Sequence, residues 1–157
     1  MIAERWVPAW VAPVTLALSA AGLAVSAYLT LVHYTTTVTL ACSTTGVVNC
    51  EKVTTSPQSM IAGVPVAPLG VVFFVVAAAL CVPAAWRSQA PAVRIARIAW
   101  MVAGVAMVLH LVYAELFQID AICLWCTTVH VITVVLFAVV LVAEALAVQA
   151  IADPSTG

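Results

Sequence analysis

Four long, mainly apolar stretches limit the fold of this 157-residue chain more than any other feature. They lie at about 9–33, 67–86, 98–118 and 122–146. Each is long enough to cross about 30 Å of hydrocarbon as a helix. Helices are predicted because a lipid interior offers no water to satisfy an open backbone. Hydrophobic residues make up 66% of the chain and charged residues only 7%, so a water-soluble core could not cover this apolar surface.

We therefore predict an all-α membrane protein, a bundle of four transmembrane helices in a single domain over residues 1–157. One large extracytoplasmic loop, 34–66, joins spans 1 and 2. A signal peptide is the competing interpretation of the first stretch. It is disfavoured because the apolar run continues beyond Ala20 to Val32, past any plausible cleavage site.

The basic residues predict the orientation of the bundle. Arg87, Arg94 and Arg97 bracket the connection between spans 2 and 3, and Arg5 precedes span 1. Lys52 is the only basic residue in the other connections. By the positive-inside rule, both termini face the cytoplasm, and the 34–66 loop and the short turn between spans 3 and 4 face outside. We expect a multi-pass protein of the bacterial inner or plasma membrane; for an organelle, the outer side would be the lumen.

Four of the five cysteines form two pairs on the predicted outer side, where disulfides persist. Cys42 and Cys50 lie in the loop, and Cys123 and Cys126 form a C-x-x-C that opens the last span. Residues three apart share a helix face, and a helix N-terminus stabilises a thiolate. These features favour thiol–disulfide exchange, with a lipid-soluble electron carrier as the other partner. The alternatives are a zinc site of all four cysteines, unrelated buried thiols, or a purely structural loop disulfide.

Histidines inside the predicted spans are functional candidates by default. His130 follows Cys126 by four residues, on the same stripe as Cys123 and about 10 Å deeper in the span. It could hydrogen-bond a quinone carbonyl or supply a proton; the alternative is an interhelical hydrogen bond. The same argument applies to His110, without cysteine neighbours.

Three other residues and one short segment receive simpler interpretations. Glu115 and Asp120 could tune a thiol pKa or relay protons, but solvated surface charge is the preferred interpretation. Cys81, inside span 2, is expected to be an inert core residue. The apolar segment 60–64 is too short to span and is expected as a partial helix at the interface.

Several of these elements together resemble the bacterial vitamin K epoxide reductase (VKOR) homologues. They are Cys42-x7-Cys50, Ser56-Pro57, Gly63-x-Pro65 before Gly70, and Cys123-x-x-Cys126 with His130. The resemblance implies a four-helix bundle that holds a quinone, ubiquinone or menaquinone, beside the C-x-x-C. Many bacterial members carry a fused thioredoxin-like domain. This chain ends at Gly157 without one, so we expect a separate thioredoxin-fold, DsbA-like oxidase as partner.

By resemblance, the chain is a thiol:quinone oxidoreductase that reoxidises this partner and so drives disulfide formation in exported proteins. Cys42 would take the mixed disulfide, Cys50 would attack Cys123, and Cys126 would face the quinone beside His130.

Two alternatives remain. In DsbB-type enzymes, which run a similar reaction, the C-x-x-C lies in the first outer loop, whereas here the order is reversed. A Cys/His metal-handling membrane protein would carry clusters of carboxylates and histidines along its spans, which this chain lacks. No metal is expected, and the net charge of −1 does not favour nucleic-acid binding.

Overall fold

The computed structural model describes residues 7–35, 40–42 and 46–152, with side chains as far as residue 150. Arg5, used in the orientation argument, lies outside these residues. The elements are α1 (Val11–Tyr34), α2 (Cys50–Thr54), a 3-10 turn (Pro57–Ser59), β1 (Met60–Ile61), β2 (Val64–Pro65), α3 (Val66–Leu80), α4 (Pro83–Arg87), α5 (Pro91–Ala114), a π-helical turn (Glu115–Ile119) and α6 (Leu124–Ala152).

Three of the described helices are long and apolar enough to cross a membrane: Val11–Tyr34, Pro91–Ile119 and Leu124–Ala150. The stretch predicted as an unbroken helix over 67–86 is divided instead into α3 and α4. The prediction of a continuous helix there was wrong, because Pro83 cannot donate a backbone hydrogen bond and begins a new helix. Alone, the 15 residues of α3 extend only about 22 Å.

The long helices pack around α1 and α6. α1 contacts both α3 and α6, and α5 packs against α6 and α3. At the α1–α3 contact, the Phe74 ring fills the space beside Gly22, where an added Cβ would overlap the ring. Small residues of this kind let membrane helices approach closely. The central core includes Phe74, Met101, Leu136 and Val140, which are fully buried.

A short β-hairpin replaces the partial helix expected at 60–64. Met60 pairs with Pro65 and Ile61 with Val64, in antiparallel register. The two turn residues, Ala62 and Gly63, have φ angles of 50° and 80°. Positive φ at both central positions is the geometry of a type I′ hairpin turn, which is incompatible with a right-handed helix. The expectation of a partial helix here was therefore wrong, whereas the chain is mostly helical, as predicted.

Arg97 was assigned to the connection between spans 2 and 3, but it lies within α5 and is fully buried. Its Nε donates to the carbonyl of Leu80 at 2.9 Å and one Nη donates to that of Ala85 at 2.8 Å. The other Nη donates to Glu144 at 2.8 Å, and the guanidinium lies 3.6 Å from the Trp86 ring centroid. Arg97 thus satisfies carbonyls on both sides of the break between α3 and α4, so it is not a loop charge.

Candidate redox site

Backbone pairing brings the loop against the start of α6. The N–H of Ile122 donates to the carbonyl of Val47 at 2.9 Å, and the N–H of Asn49 donates to the carbonyl of Ile122 at 3.1 Å. Cys50 directly follows one side of this pairing and Cys123 directly follows the other. Two cysteines that are 73 positions apart are therefore neighbours (123 − 50).

All four candidate cysteines meet in one cluster. Cys50 and Cys123 are both fully buried within it, and Cys42 and Cys126 pack against it as partly buried members. Cys42 and Cys50 form a disulfide with their Cα atoms 6.1 Å apart. Cys123 and Cys126 are free thiols. The loop pair is thus oxidised while the C-x-x-C pair is reduced.

The segment that carries Cys42 is held by two aromatic side chains. The Ala41 N–H donates to the Tyr28 hydroxyl at 3.1 Å, and Trp125 Nε1 donates to the Ala41 carbonyl at 2.9 Å. The rings of Tyr28 and Trp125 lie 4.9 Å apart. Sequence reasoning missed both residues. The signal was available, since amphipathic aromatics with a polar tip are typical of membrane interfaces.

Cys123 acts as the side-chain cap of α6. Its Sγ accepts from the Cys126 N–H at 3.3 Å, and its carbonyl accepts from the Thr127 N–H at 2.8 Å. The side-chain hydrogen bond with Cys126 lowers the pKa of Cys123 below the usual range for a thiol. Backbone N–H groups at Cys126 and Trp125 also lower it, while burial and the charge of Glu115 oppose the shift. The position therefore makes the Cys123 proton easier to remove than that of an ordinary thiol.

A cavity of about 340 Å³ lies next to this cluster, within the range for small-molecule sites. Its walls are mainly apolar and include Phe73, Trp100 and Met107. Cys126 and His130 line it, whereas Cys123 does not. The residues present suit a flat apolar ring with one or two polar oxygens, which is the chemistry of a quinone.

His130 lies on the cavity wall and is 7% exposed. Among residues 7–35, 40–42 and 46–150, no hydrogen bond to its ring is formed. The alternative role, an interhelical hydrogen bond, therefore has no support in the described part of the chain. His110, in contrast, is exposed on α5 and does not line the cavity.

Glu115 was interpreted as a solvated surface charge, and this was wrong. It is 6% exposed and lines the same cavity as Cys126. The Cys123 backbone N–H interacts with its carboxyl group. An acidic residue in an apolar run could have been recognised as a functional candidate. Asp120 is exposed, and Cys81 is buried at the end of α3, as expected for each.

Within the described residues, no group of three or more His, Cys, Asp and Glu side chains could hold a metal ion. A four-cysteine zinc site would need four thiolates, but Cys42 and Cys50 are joined in a disulfide.

Comparison with known proteins shows the family to which this chain belongs. No curated protein matches the chain. The sequence profile of the vitamin K epoxide reductase family matches residues 13–141, which include both cysteine pairs, Glu115 and His130. Proteins of this family are generally membrane oxidoreductases associated with quinones. The match extends over most of the chain and confirms the resemblance drawn from the cysteine spacing, so the chain belongs to the vitamin K epoxide reductase family.

Proposed function

We propose that the chain is a membrane thiol:quinone oxidoreductase that moves electrons from Cys42 and Cys50 to Cys123 and Cys126, and then to a quinone. One observation carries the proposal: the order of contact among the groups. The loop disulfide packs on Cys123, and Cys126 opens into the apolar cavity.

The first exchange takes electrons from an external dithiol, which we assign to a separate thioredoxin-fold, DsbA-like oxidase. Cys42 is half-buried whereas Cys50 is fully buried, so an external thiolate reaches the Cys42 sulfur more readily. Its attack breaks the Cys42–Cys50 bond and releases Cys50 as a thiolate. The second thiol of the partner then displaces Cys42, which leaves the loop pair reduced and the partner oxidised.

The second exchange moves the electrons inward. The Cys50 thiolate attacks Cys123 of an oxidised C-x-x-C, which forms a Cys50–Cys123 bond and releases Cys126 as a thiolate. Cys42 then attacks Cys50, restores the loop disulfide and releases Cys123. The lowered pKa of Cys123 makes it a good leaving group in this step.

The cavity residues prepare the last transfer. A quinone bound there supplies a two-electron acceptor that becomes a quinol. Cys126 presents its sulfur to the cavity, and His130, on the next turn of α6, presents a ring nitrogen that can donate to an oxygen. Phe73 and Trp100, whose rings stack at 5.9 Å, form an apolar wall that excludes water. A donor aimed at developing negative charge contributes a few kcal/mol.

The proposed activity can be tested with the purified full chain in detergent, with dithiothreitol as electron donor and a short-chain ubiquinone or menaquinone as acceptor. The wild type should reduce quinone well above the uncatalysed rate. Cys126→Ala should abolish this activity, and the matched control Cys81→Ala, a buried thiol outside the cluster, should preserve it. A wild type that does not accelerate quinone reduction, or a fully active Cys126→Ala variant, would refute the proposal.

One further variant tests the order of the relay. Cys42→Ala should accumulate a Cys50–Cys123 bond, because the thiol that resolves it is absent. Peptide mapping that finds Cys42 joined to Cys123 in the wild type would reverse the roles of the loop cysteines.

Two variants of His130 test its role at the quinone. His130→Ala should slow quinone reduction about ten-fold with thiol exchange unchanged, and His130→Tyr should keep part of the rate.

The proposed orientation places both cysteine pairs outside the cytoplasm. The exposed Arg87 and half-exposed Arg94 at the opposite end of the bundle support it. In intact cells, an impermeant thiol reagent should label reduced Cys42 but not Cys81. Labelling of Cys42 only from the cytoplasmic side would reverse the topology.

A further inference from the structure

The buried carboxyl group of Glu115 takes no part in the proposed relay, yet it lies between the C-x-x-C and the cavity. It interacts with the Cys123 backbone N–H on one side and lines the cavity on the other. Of the ionisable residues that line the cavity in the described part of the chain, only Glu115 and Cys126 interact with Cys123.

A π-helical turn sets the position of this carboxyl group. α5 changes at Ala114 into the π-helical turn Glu115–Ile119. The Glu115 carbonyl accepts from the N–H groups of Asp120 and Ala121, and Asp120, with a φ of 53°, ends the turn. Single π-turns within α-helices occur frequently at functional sites. Here the turn holds an acidic side chain in an otherwise apolar interior.

Proton balance shows what such a group could do. Oxidation of the C-x-x-C breaks two S–H bonds, forms one S–S bond and releases two electrons and two protons, all of which a quinone must gain to become a quinol. Cys126 lines the cavity and can lose its proton there directly. Cys123 is fully buried and does not line the cavity, so its proton needs a carrier.

We propose that Glu115 is the proton-transfer residue for Cys123. As the Cys123–Cys126 disulfide forms, the Cys123 S–H bond breaks and an O–H bond forms on the Glu115 carboxylate. The carboxylic acid then releases this proton into the cavity, where the reduced acceptor takes it, and Glu115 returns to its charged form. This inference rests on the proposed quinone chemistry, which supplies the oxidant.

The surroundings of Glu115 leave few other groups for this role. In the described part of the chain, the ionisable groups near it are Cys123, Cys126 and His130 at the start of α6. Exposed groups are His33, which lines the cavity, Glu51 and Lys52 on α2, His110 and Tyr113 near the end of α5, and Asp120 at the end of its own turn. Of these, only the α6 residues share the buried site with it.

The test compares three variants of the purified full chain. Glu115→Gln keeps the shape but removes the acid, Glu115→Asp keeps the acid, and Glu51→Gln is the matched control on an exposed site. Three quantities are measured: the rate at which a short-chain quinone oxidises the reduced C-x-x-C, the rate at which dithiothreitol reduces the loop disulfide, and the pH midpoint of thiolate formation from ultraviolet absorbance.

Glu115→Gln should slow quinone-driven oxidation by about ten-fold or more. It should leave the rate of the dithiothreitol reaction within about two-fold of wild type. It should also shift the thiolate midpoint to lower pH by about half a unit, because a neighbouring negative charge is removed. Glu115→Asp should recover part of the rate, and Glu51→Gln should match the wild type.

Quinone-driven oxidation of the Gln variant at the wild-type rate would overturn the proposal, whatever its thiolate midpoint. Equal losses in the Gln and Asp variants, or an equal loss in the dithiothreitol reaction, would also overturn it, because they indicate a structural role. If the wild type itself does not react with quinone, the proposed function fails separately. The thiolate midpoint then decides alone: a shift supports proton coupling between Glu115 and Cys123, and no shift excludes it.

Discussion

Replacement of Arg97 by methionine should strongly destabilise the end of the bundle opposite the cysteines. The guanidinium is fully buried and donates to Glu144 and to the carbonyls of Leu80 and Ala85. Methionine has a similar length but no donor, so it leaves a buried carboxylate and two carbonyls with fewer partners. The carbonyls lie on opposite sides of the break between α3 and α4, so we expect these two helices to separate.

The size of the effect follows from this burial. Loss of one partner of a buried ion pair costs about 3–5 kcal/mol. The salt bridge from Arg94 to Glu144, at 3.1 Å, remains and offsets part of the cost. This contribution is small, because the Arg94 side chain is 42% exposed. Each carbonyl left without a donor adds to the loss. We therefore expect about 4 kcal/mol, which lowers Tm by roughly 10 °C for a chain of this length.

Thermal unfolding in detergent, followed by circular dichroism, measures this effect. The exposed Arg87 provides the matched control, since Arg87→Met should leave Tm within about 2 °C of wild type. The double variant Arg97→Met/Glu144→Leu should recover much of the loss, because an apolar pair can replace a buried ion pair. A single Arg97→Met variant as stable as wild type, or a double variant no better than the single one, would show that this ion pair does not hold the helices together.

Three further outcomes follow from the site and the core. Tyr28→Phe and Trp125→Phe each remove one hydrogen bond to Ala41, so dithiothreitol should reduce the loop disulfide at an altered rate. The free energy of unfolding should fall by only about 1 kcal/mol. An unchanged rate of reduction in both variants would show that the contact does not position the disulfide. The lowered pKa of Cys123 means that, in the reduced protein, the ultraviolet absorbance of its thiolate should appear at lower pH than for an ordinary thiol. The same shift predicts that the thiolate stabilises the fold at high pH and that this contribution is lost as pH falls through the pKa. A midpoint at or above that of a free cysteine would contradict both expectations. Gly22→Ala should destabilise the α1–α3 contact by about 1–3 kcal/mol, since the new methyl group overlaps an aromatic ring, and an unchanged Tm would show that the ring can move aside.

The predictions that succeeded from sequence rest on local patterns. The helices predicted at 9–33, 98–118 and 122–146 are present, because uncharged apolar runs have few alternatives in lipid. The family could also be recognised, since the spacing within and between the cysteine pairs is itself a sequence property.

The errors concern residues whose surroundings come from distant parts of the chain. Arg97 was taken as a loop charge because its partner, Glu144, is 47 residues away and no local pattern connects them. Glu115 was taken as a surface charge because the π-helical turn that directs it inward has no simple sequence signature. The break before Pro83 is different, since a proline inside an apolar run predicts a helix boundary and could have been used.

The lengths of the apolar stretches and the spacing of the cysteines are properties of the sequence. By themselves they determined that this protein has membrane-crossing helices and two dithiol pairs. Only the tertiary structure decided which sulfurs are neighbours. The pairing of residues 47–49 with Ile122 places Cys50 against Cys123, and the packing of α3, α5 and α6 forms the cavity that Cys126, His130 and Glu115 share. Such contacts join residues far apart in sequence, so they depend on how whole helices pack rather than on any local preference.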